Sequence, residues 1–383
     1  MQRLSTGQRQ WRERPAAVSQ PTDQTTRRIK EVSVTSPPHI PADAGHPARP
    51  APGALGALDL LGRLPIPLRR AFKAGIDRPL AAQRAAGGEA LNCCCLGGGE
   101  WYSPFDSLAT ERDPARLPGL LVSTVYQDIL ARGLLAHYAP GPAARPLPEL
   151  HPACAAAGLA DPLGAFRVFS VIPFVWLIDR RRLKGRRPPR VWSDLLDPQW
   201  AGEIVFGGWR PNPQVPYQDY NAYLLLALYL EFGQSGLAAF AGNVRHLQHN
   251  VRTATQAGSN SPDVGAIAVL PWLQAELCPR RERTSVVWPE DGALAMPIGY
   301  LLKPGQEARL APLVDYLHSA QLGAVLARNC YPPTGAAHAG AFPPGARLKW
   351  PGWAFFHTHD FAAEQRRAAE LFFAAQGGLR LCN

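Results

Sequence analysis

Three cysteines in a row, Cys93-Cys94-Cys95, and the cluster His357-Thr358-His359-Asp360 are the residues whose types could hold a metal or run redox chemistry. Thiolates bind zinc and copper, and imidazoles beside a carboxylate form a metal-ligating set. The spacing argues against both. On a strand Cys94 points away from its two neighbours, so at most two thiols share a face, and a buried cysteine behaves as a small hydrophobe. Thr358 stands where an N-cap would, with Asp360 in the first turn, which assigns the cluster to the start of a helix. The loop Gly97-Gly98-Gly99 lacks the Gly-Lys-Ser/Thr tail of a phosphate-hydrolysing loop, and neither Gly-x-Ser-x-Gly nor His-Glu-x-x-His occurs. No catalytic residue, metal site or cofactor is assigned. A cleft hydrolase or transferase stays open only because catalytic groups need not be neighbours in sequence.

Basic residues also come in runs: Arg180–Arg182 with Lys184, Arg186-Arg187, and Arg280-Arg281 with Arg283. Such runs could meet phosphates or anionic lipid. The plainer reading is solvated turns, and no zinc-finger, helix-turn-helix or aromatic-basic pattern accompanies them, so nucleic acid is not an expected partner. Of the formal charge of +10, the first 50 residues supply +4, through eight Arg/Lys against four Asp/Glu. Seven cysteines, four of them isolated, do not make a disulfide framework. Met1–Lys30 is rich in Gln, Arg, Thr and Ser, without the basic region and apolar run of a secretory signal. The longest uninterrupted apolar stretch, Ala222–Leu230, is about half of what spans a bilayer.

These residues need a scaffold, and the pattern along the chain supplies an alternating one. Residues 1–54, rich in Pro, Thr, Ala and Arg, read as a disordered leader. From Leu55 onward strands and helices alternate, which argues for α/β layering. Ala90–Leu96 and Leu120–Ser123 read as strands, and Val125–Arg132 as helical. Phe166–Ile178 reads as a buried strand pair bent at Pro173. Asn221–Phe232, closed by Gly233, and Gly236–His246 read as two helices; Val264–Leu270, Ser285–Trp288 and Leu294–Leu302 as strands; Leu310–Arg328 and Phe361–Gln376 as helices.

One stretch is specific. Val171-Ile-Pro-Phe-Val-Trp-Leu-Ile-Asp179 leads through a basic turn to Pro188-Pro-Arg-Val-Trp192-Ser-Asp-Leu-Leu-Asp-Pro198-Gln-Trp-Ala-Gly202-Glu-Ile-Val-Phe206. It reads as strand, turn, a short helix capped by Ser193 or Asp194 and stopped at Asp197-Pro198, then a strand announced by Gly202, with Trp192 and Leu195 stapling the helix down. It is followed in order by Gly242-Asn243-Val244, Gly265–Leu270, Val287–Pro297 and Tyr316-Leu-His-Ser319. This order resembles the solute-binding proteins of ABC transporters, the type II periplasmic binding proteins, and within them the iron- and small-anion-binding branch. A signal-less subgroup carries Leu-Pro-Cys-Pro-Leu early in the domain; Leu64-Pro65-Ile66-Pro67-Leu68 keeps that frame without the Cys.

The resemblance implies a bilobal α/β fold, two lobes joined by crossing strands with a ligand cleft between them. Lobe 1 would take residues 55–170, lobe 2 residues 171–282, and residues 283–383 would return to lobe 1 and add C-terminal helices. The implied function is a receptor, not an enzyme, that closes on a small molecule or ion and presents it to a permease and ATPase. Its implied location is the periplasm, with the cytoplasm as the alternative in the absence of a visible signal. A cytoplasmic ligand sensor or interaction protein on the same scaffold is the second reading.

Ligands of open α/β sheets sit beyond strand C-termini, where helix N-termini offer free N–H groups. That places Trp101, Tyr102 and Ser103 after the glycine loop, Ser123 and Thr124 after the next strand, Tyr217, Gln218, Asp219 and Tyr220 at a helix start, and Trp272 after Val264–Leu270. Iron-binding relatives carry adjacent tyrosines after the strand equivalent to Val264–Leu270. Here the place reads Pro271-Trp272-Leu273-Gln274, which offers no anionic oxygen to ferric ion.

Overall fold

Two long strands, Phe166–Asp179 and Ala293–Leu302, hold together the sheet of this computed structural model, which describes residues 54–95, 108, 111–124, 129, 132–140, 146–207 and 220–376. Among the described residues the strands are β1 Leu60–Gly62, β2 Cys93–Cys95, β3 Leu120–Thr124, β4 Phe166–Asp179, β5 Ile204–Gly207, β6 Val244–Gln248, β7 Ile267–Pro271, β8 Thr284–Val287, β9 Ala293–Leu302 and β10 Leu348–Lys349. The α-helices are α1 Ile66–Ala85, α2 Arg132–His137, α3 Pro152–Ala156, α4 Tyr220–Asn243, α5 Asn250–Gln256, α6 Trp272–Glu276, α7 Ala311–Leu317, α8 Ala320–Arg328, α9 Trp353–Thr358 and α10 Phe361–Ala375. The sheet order is β2-β1-β3-β9-β4-β7-β5-β6, with β8 on β4 and β10 on β9.

Strand direction divides this sheet into two halves. β1, β2 and β3 are parallel, and β3 meets the second part of β9 antiparallel, Leu120 opposite Leu302 and Thr124 opposite Ile298. β5, β6 and β7 are parallel, and β7 meets the second part of β4 antiparallel, Ile267 opposite Ile178 and Pro271 opposite Phe174. β4 and β9 pair with each other from Phe166–Leu301 to Phe174–Leu294. The C-terminal ends of β1–β3 therefore point at the middle of the β4–β9 pair from one side, and those of β5–β7 from the other. Along β9 the two approaches, at Ile298 and Leu294, are four residues apart, about 13 Å of strand. This is the bilobal α/β architecture with two crossing strands.

β4 is one continuous strand, not a pair bent at Pro173. The missing donor of Pro173 costs nothing there because of strand alternation. Val171 donates its N–H outward to Pro332 O, so position 173 also faces outward. The segment around Pro332–Thr334 covers β4 on that side as far as Val171, and β7 ends opposite Phe174. Pro173 falls in the gap between them.

The 192–207 segment follows the sequence closely. A 3-10 turn at Trp192–Leu196 is tied by the Asp194 carboxylate, which accepts from the Arg190 and Val191 N–H groups; Ser193 does not cap it. Asp197 caps a second turn, Pro198–Trp200, and Gly202 supplies φ +64° before β5. Trp192 is fully buried, stands edge-on to Trp176 of β4 at 5.4 Å, and donates its indole N–H to Gly292 O.

Two expected helices end differently. α4 does break at Gly233 (φ +67°), but it stops at Asn243, and Val244–Gln248 is the edge strand β6 instead of the helix's last turn. Val244 and Leu247, three apart, suit a helix face, and in β6 they line up with Ile204 and Phe206 of β5 only because the register shifts after Ile204. Pairing with β5 decides, and Asn243 fixes the exit by donating to Leu195 O and Asp197 O at 2.8 and 2.9 Å. The Leu310–Arg328 helix is split at Ser319, whose Oγ caps α8 by accepting from Leu322 N–H. α4 is apolar enough over Ala222–Asn243 to cross a bilayer by composition, yet it is the core helix of the second half. Phe240 of α4, Phe206 of β5 and Phe372 of α10 close a three-ring cluster with centroids 5.5–6.2 Å apart. In the first half α1 packs on α7 and α8, Phe72 lying against Tyr316.

Candidate functional site

The converging strand ends carry the residues that could meet a ligand. On the first half, Ser123 and Thr124 end β3, both buried, and the Thr124 hydroxyl has no hydrogen-bond partner among the described residues. A pocket of about 430 Å³ opens at the ends of β1 and β2, floored by Gly62, Leu64, Phe72 and Cys95 and edged by Arg70 and Lys73 of α1. On the second half, Trp272 opens α6 directly after β7, half-buried, its indole N–H donated to Glu276 at 3.0 Å and its ring edge-on to Trp288 at 5.3 Å. Trp101, Tyr102, Ser103, Tyr217, Gln218 and Asp219 lie outside the described residues, as does the side chain of Tyr220, the first residue of α4. The structure thus places Ser123, Thr124 and Trp272 on edges that face the same stretch of β4 and β9.

Three further residues belong to this edge and were missed in the sequence: Gln248, His249 and Asn250, where β6 passes into α5. Reading the helix as Gly236–His246 hid the strand that leads to them; a polar triplet directly after a strand is the signal that would have found them. Gln248 donates to Gln256 at 3.0 Å. Asn250 leans over the end of β5, where a Cβ on Gly207 would lie 1.8 Å from its side-chain oxygen, and that oxygen is buried without a hydrogen-bond partner among the described residues. Burial lowers the pKa of His249, keeping its imidazole neutral at neutral pH. The hydroxyl of Thr124, the amides of Gln248 and Asn250, the imidazole of His249 and the indole of Trp272 are polar groups without formal charge.

The metal-like clusters resolve into structure. Cys93 and Cys95 are free thiols on edge strand β2, pushed up to about 11 by burial first and by neighbouring thiols, so both are protonated at neutral pH. His357 bonds to buried Asp161 at 2.8 Å. Thr358 is the last residue of α9 and donates to Ala354 O, so it is not an N-cap. Asp360 is the cap of α10, accepting from Ala363 N–H at 3.0 Å. Among the described residues no three His, Cys, Asp or Glu side chains come together as a metal site.

Two α/β halves joined by crossing strands, with strand C-termini converging on the crossing, define the periplasmic binding-protein class. Residues 119–359 match the bacterial extracellular solute-binding protein family, and the chain belongs to it. Solved structures share the fold. A Bordetella ferric binding protein is 16% identical at a TM-score of 0.55, covering 83% of this chain and 99% of its own. The Trichodesmium protein IdiA (FutA), solved with iron and citrate ligands, is 13% identical at 0.54, covering 84% and 100%. An ABC transporter structure from Clostridium perfringens is 10% identical at 0.54, covering 83% and 99%. No curated protein sequence matches this one.

Proposed function

We propose that the protein is the periplasmic receptor of an ABC transporter, a binding protein without catalytic activity that hands its solute to a membrane permease coupled to an ATPase. The observation that carries this reading is the convergence of both sets of strand C-termini on one stretch of β4 and β9. A solute there touches both halves at once, so its affinity favours their closed arrangement. The solute is a small polar organic molecule or oxyanion held by Thr124, Asn250 and Trp272, together with Trp101, Tyr102, Ser103, Ser123, Tyr217, Gln218, Asp219 and Tyr220. Ferric ion held by adjacent tyrosines, the cargo suggested by several structural relatives, is disfavoured: Trp272 and Leu273 offer it no anionic oxygen.

A thermal-shift screen over metals, oxyanions, amino acids and polyamines tests this. One class of solute stabilises the protein, by about 2.7 kcal/mol at a hundredfold excess over its Kd, and no product forms. Turnover of the hit would overturn the receptor reading, and stabilisation by ferric ion alone would overturn the solute class.

A further inference from the structure

The pole of the second half opposite its strand C-termini is built from arginine. It lies where β4 ends at Asp179 and where β5, β6, β7 and β8 begin. Residues 179–187, 245–263 and 276–284 with Glu203 bring there eleven Arg and Lys against five Asp and Glu, an excess of +6. Residues 51–383 carry the same excess as a whole, so the remainder of that region is neutral on balance.

The five carboxylates offset only part of this charge, Asp179 standing 3.5 and 3.7 Å from Arg181 and Arg182 and Glu203 3.3 Å from Arg186, and most of the guanidiniums' hydrogen bonds go to carbonyls instead. Arg180 donates to Thr284 O at 2.8 Å, Arg181 to Gly258 O at 2.6 Å, Arg182 to Ser261 O at 2.9 Å and Arg186 to Gln199 O at 2.6 Å. A carbonyl partner is uncharged, so these bonds fix the cations in place without cancelling the excess of +6 that the five acids leave. It also uses up the paired N–H donors through which arginine recognises one phosphate or carboxylate with specific geometry. What remains is a rigid, diffuse positive surface. Lys184 and Arg187, at the tip of the 180–187 turn, have no partner among the described residues and stand out from it. Leu277, 66% exposed, lies in the same 276–284 segment.

We propose that this pole is a membrane-facing surface that holds the protein on anionic phospholipid headgroups. A headgroup layer is an extended, non-specific array of phosphates, which a field without free bidentate donors suits, and an exposed leucine beside basic residues is suited to the headgroup boundary. An acidic protein partner would be expected to meet an apolar centre within the interface, and this pole offers one leucine. Docking by this end leaves the ligand-facing edges of β5–β7 directed away from the lipid, so it holds the protein at the membrane while it collects solute and is released before the solute is handed to the permease.

The test is co-sedimentation of the full chain with vesicles of phosphatidylcholine, with and without phosphatidylglycerol, at about 0.1 M salt. Binding is expected only with phosphatidylglycerol, weakened about tenfold or more in Lys184→Glu/Arg187→Glu and again in Leu277→Asp. Lys184→Gln/Arg187→Gln gives a smaller loss in the same direction, and an unchanged melting temperature certifies the fold of each variant. Equal binding by the charge-reversed variant places any attachment outside this pole, such as in residues 1–50, and overturns the proposal. So does equal binding to neutral vesicles, or binding of soluble polyglutamate in place of vesicles.

Discussion

The two ends of the second half's strands are finished in opposite ways. At the far pole, carbonyls of the 199–203, 255–262 and 275–284 loops are taken up by guanidinium N–H groups. At the C-terminal edge the Asn250 oxygen, and across the crossing strands the Thr124 hydroxyl, are buried with no hydrogen-bond partner among the described residues; the pole's one such carboxylate oxygen, on Asp179, has Arg181 and Arg182 3.5 and 3.7 Å away. An unpaired buried polar atom is costly in a site that stays empty and useful in one that fills. The comparison teaches that the pole meets its buried carboxylate with cations of its own, whereas the neutral buried groups of the edge are met by no described side chain, as the proposed solute site requires.

Acid sensitivity can break the comparison most strongly, because arginine stays charged at every accessible pH. The first half holds the counter-case: His318 shares a 3.0 Å hydrogen bond with Tyr300, and burial first, then Arg167, pushes its pKa down to about 4. Its folded pKa lies below the unfolded value, so between about pH 6.5 and 4 the unfolded chain binds a proton that the folded one does not. Stability is expected to fall by about 2–3 kcal/mol across that window, measured by urea titration at several pH values, with His318→Asn abolishing this component. An unchanged slope in that variant would mean the acid response originates elsewhere.

Next in size is Arg186→Ala. Arg186 bonds three carbonyls, pairs with Glu203 at 3.3 Å and lies over Trp200 at 4.6 Å. Its loss is expected to cost about 2 kcal/mol of stability while leaving solute affinity unchanged, and Arg186→Lys restores little because it lacks the fork. The reverse pattern is expected at the edge: Trp272→Ala lowers affinity about tenfold by calorimetry, or about 1.4 kcal/mol, with a smaller change in stability. Asn250→Ala is expected to lower affinity only a few-fold, about 0.5–1 kcal/mol, because it removes one neutral hydrogen bond. If stability moved at the edge and affinity at the pole, the contrast would be inverted.

Much of the scaffold was legible because apolar runs and stop signals coincided. The continuous apolar run of β4, the Asp197-Pro198 stop, Gly202 before β5 and Gly233 within α4 are each forced by local chemistry. β6 was not legible, since Val244 and Leu247 have helical spacing and share a strand face only through the register shift in their pairing with β5. The unbroken passage of β4 through Pro173 was hidden for a related reason: whether a proline's absent donor matters depends on a neighbour far away in sequence. The arginine runs read as solvated turns, yet their heads reach carbonyls 13 to 104 residues distant. Of the proposed ligand residues, the sequence located the strand ends, and with them Thr124 and Trp272, but the Gln248–Asn250 edge had to wait for β6.

Because β4 and β9 run between the halves without a break, any rocking of one half on the other has to bend two extended segments, Ser170–Phe174 and Leu294–Ile298, together. Two strips clamped at both ends behave as a leaf spring: they twist readily about one axis and resist the others. Tyr223 of α4 bonds to Ala295 O inside one leaf, and Ser170 bonds to Tyr331 O and Pro332 O beside the other. At Pro173 there is no outward donor to anchor. That is where the leaf is thinnest, and where elastic energy stored on closing would be returned on release.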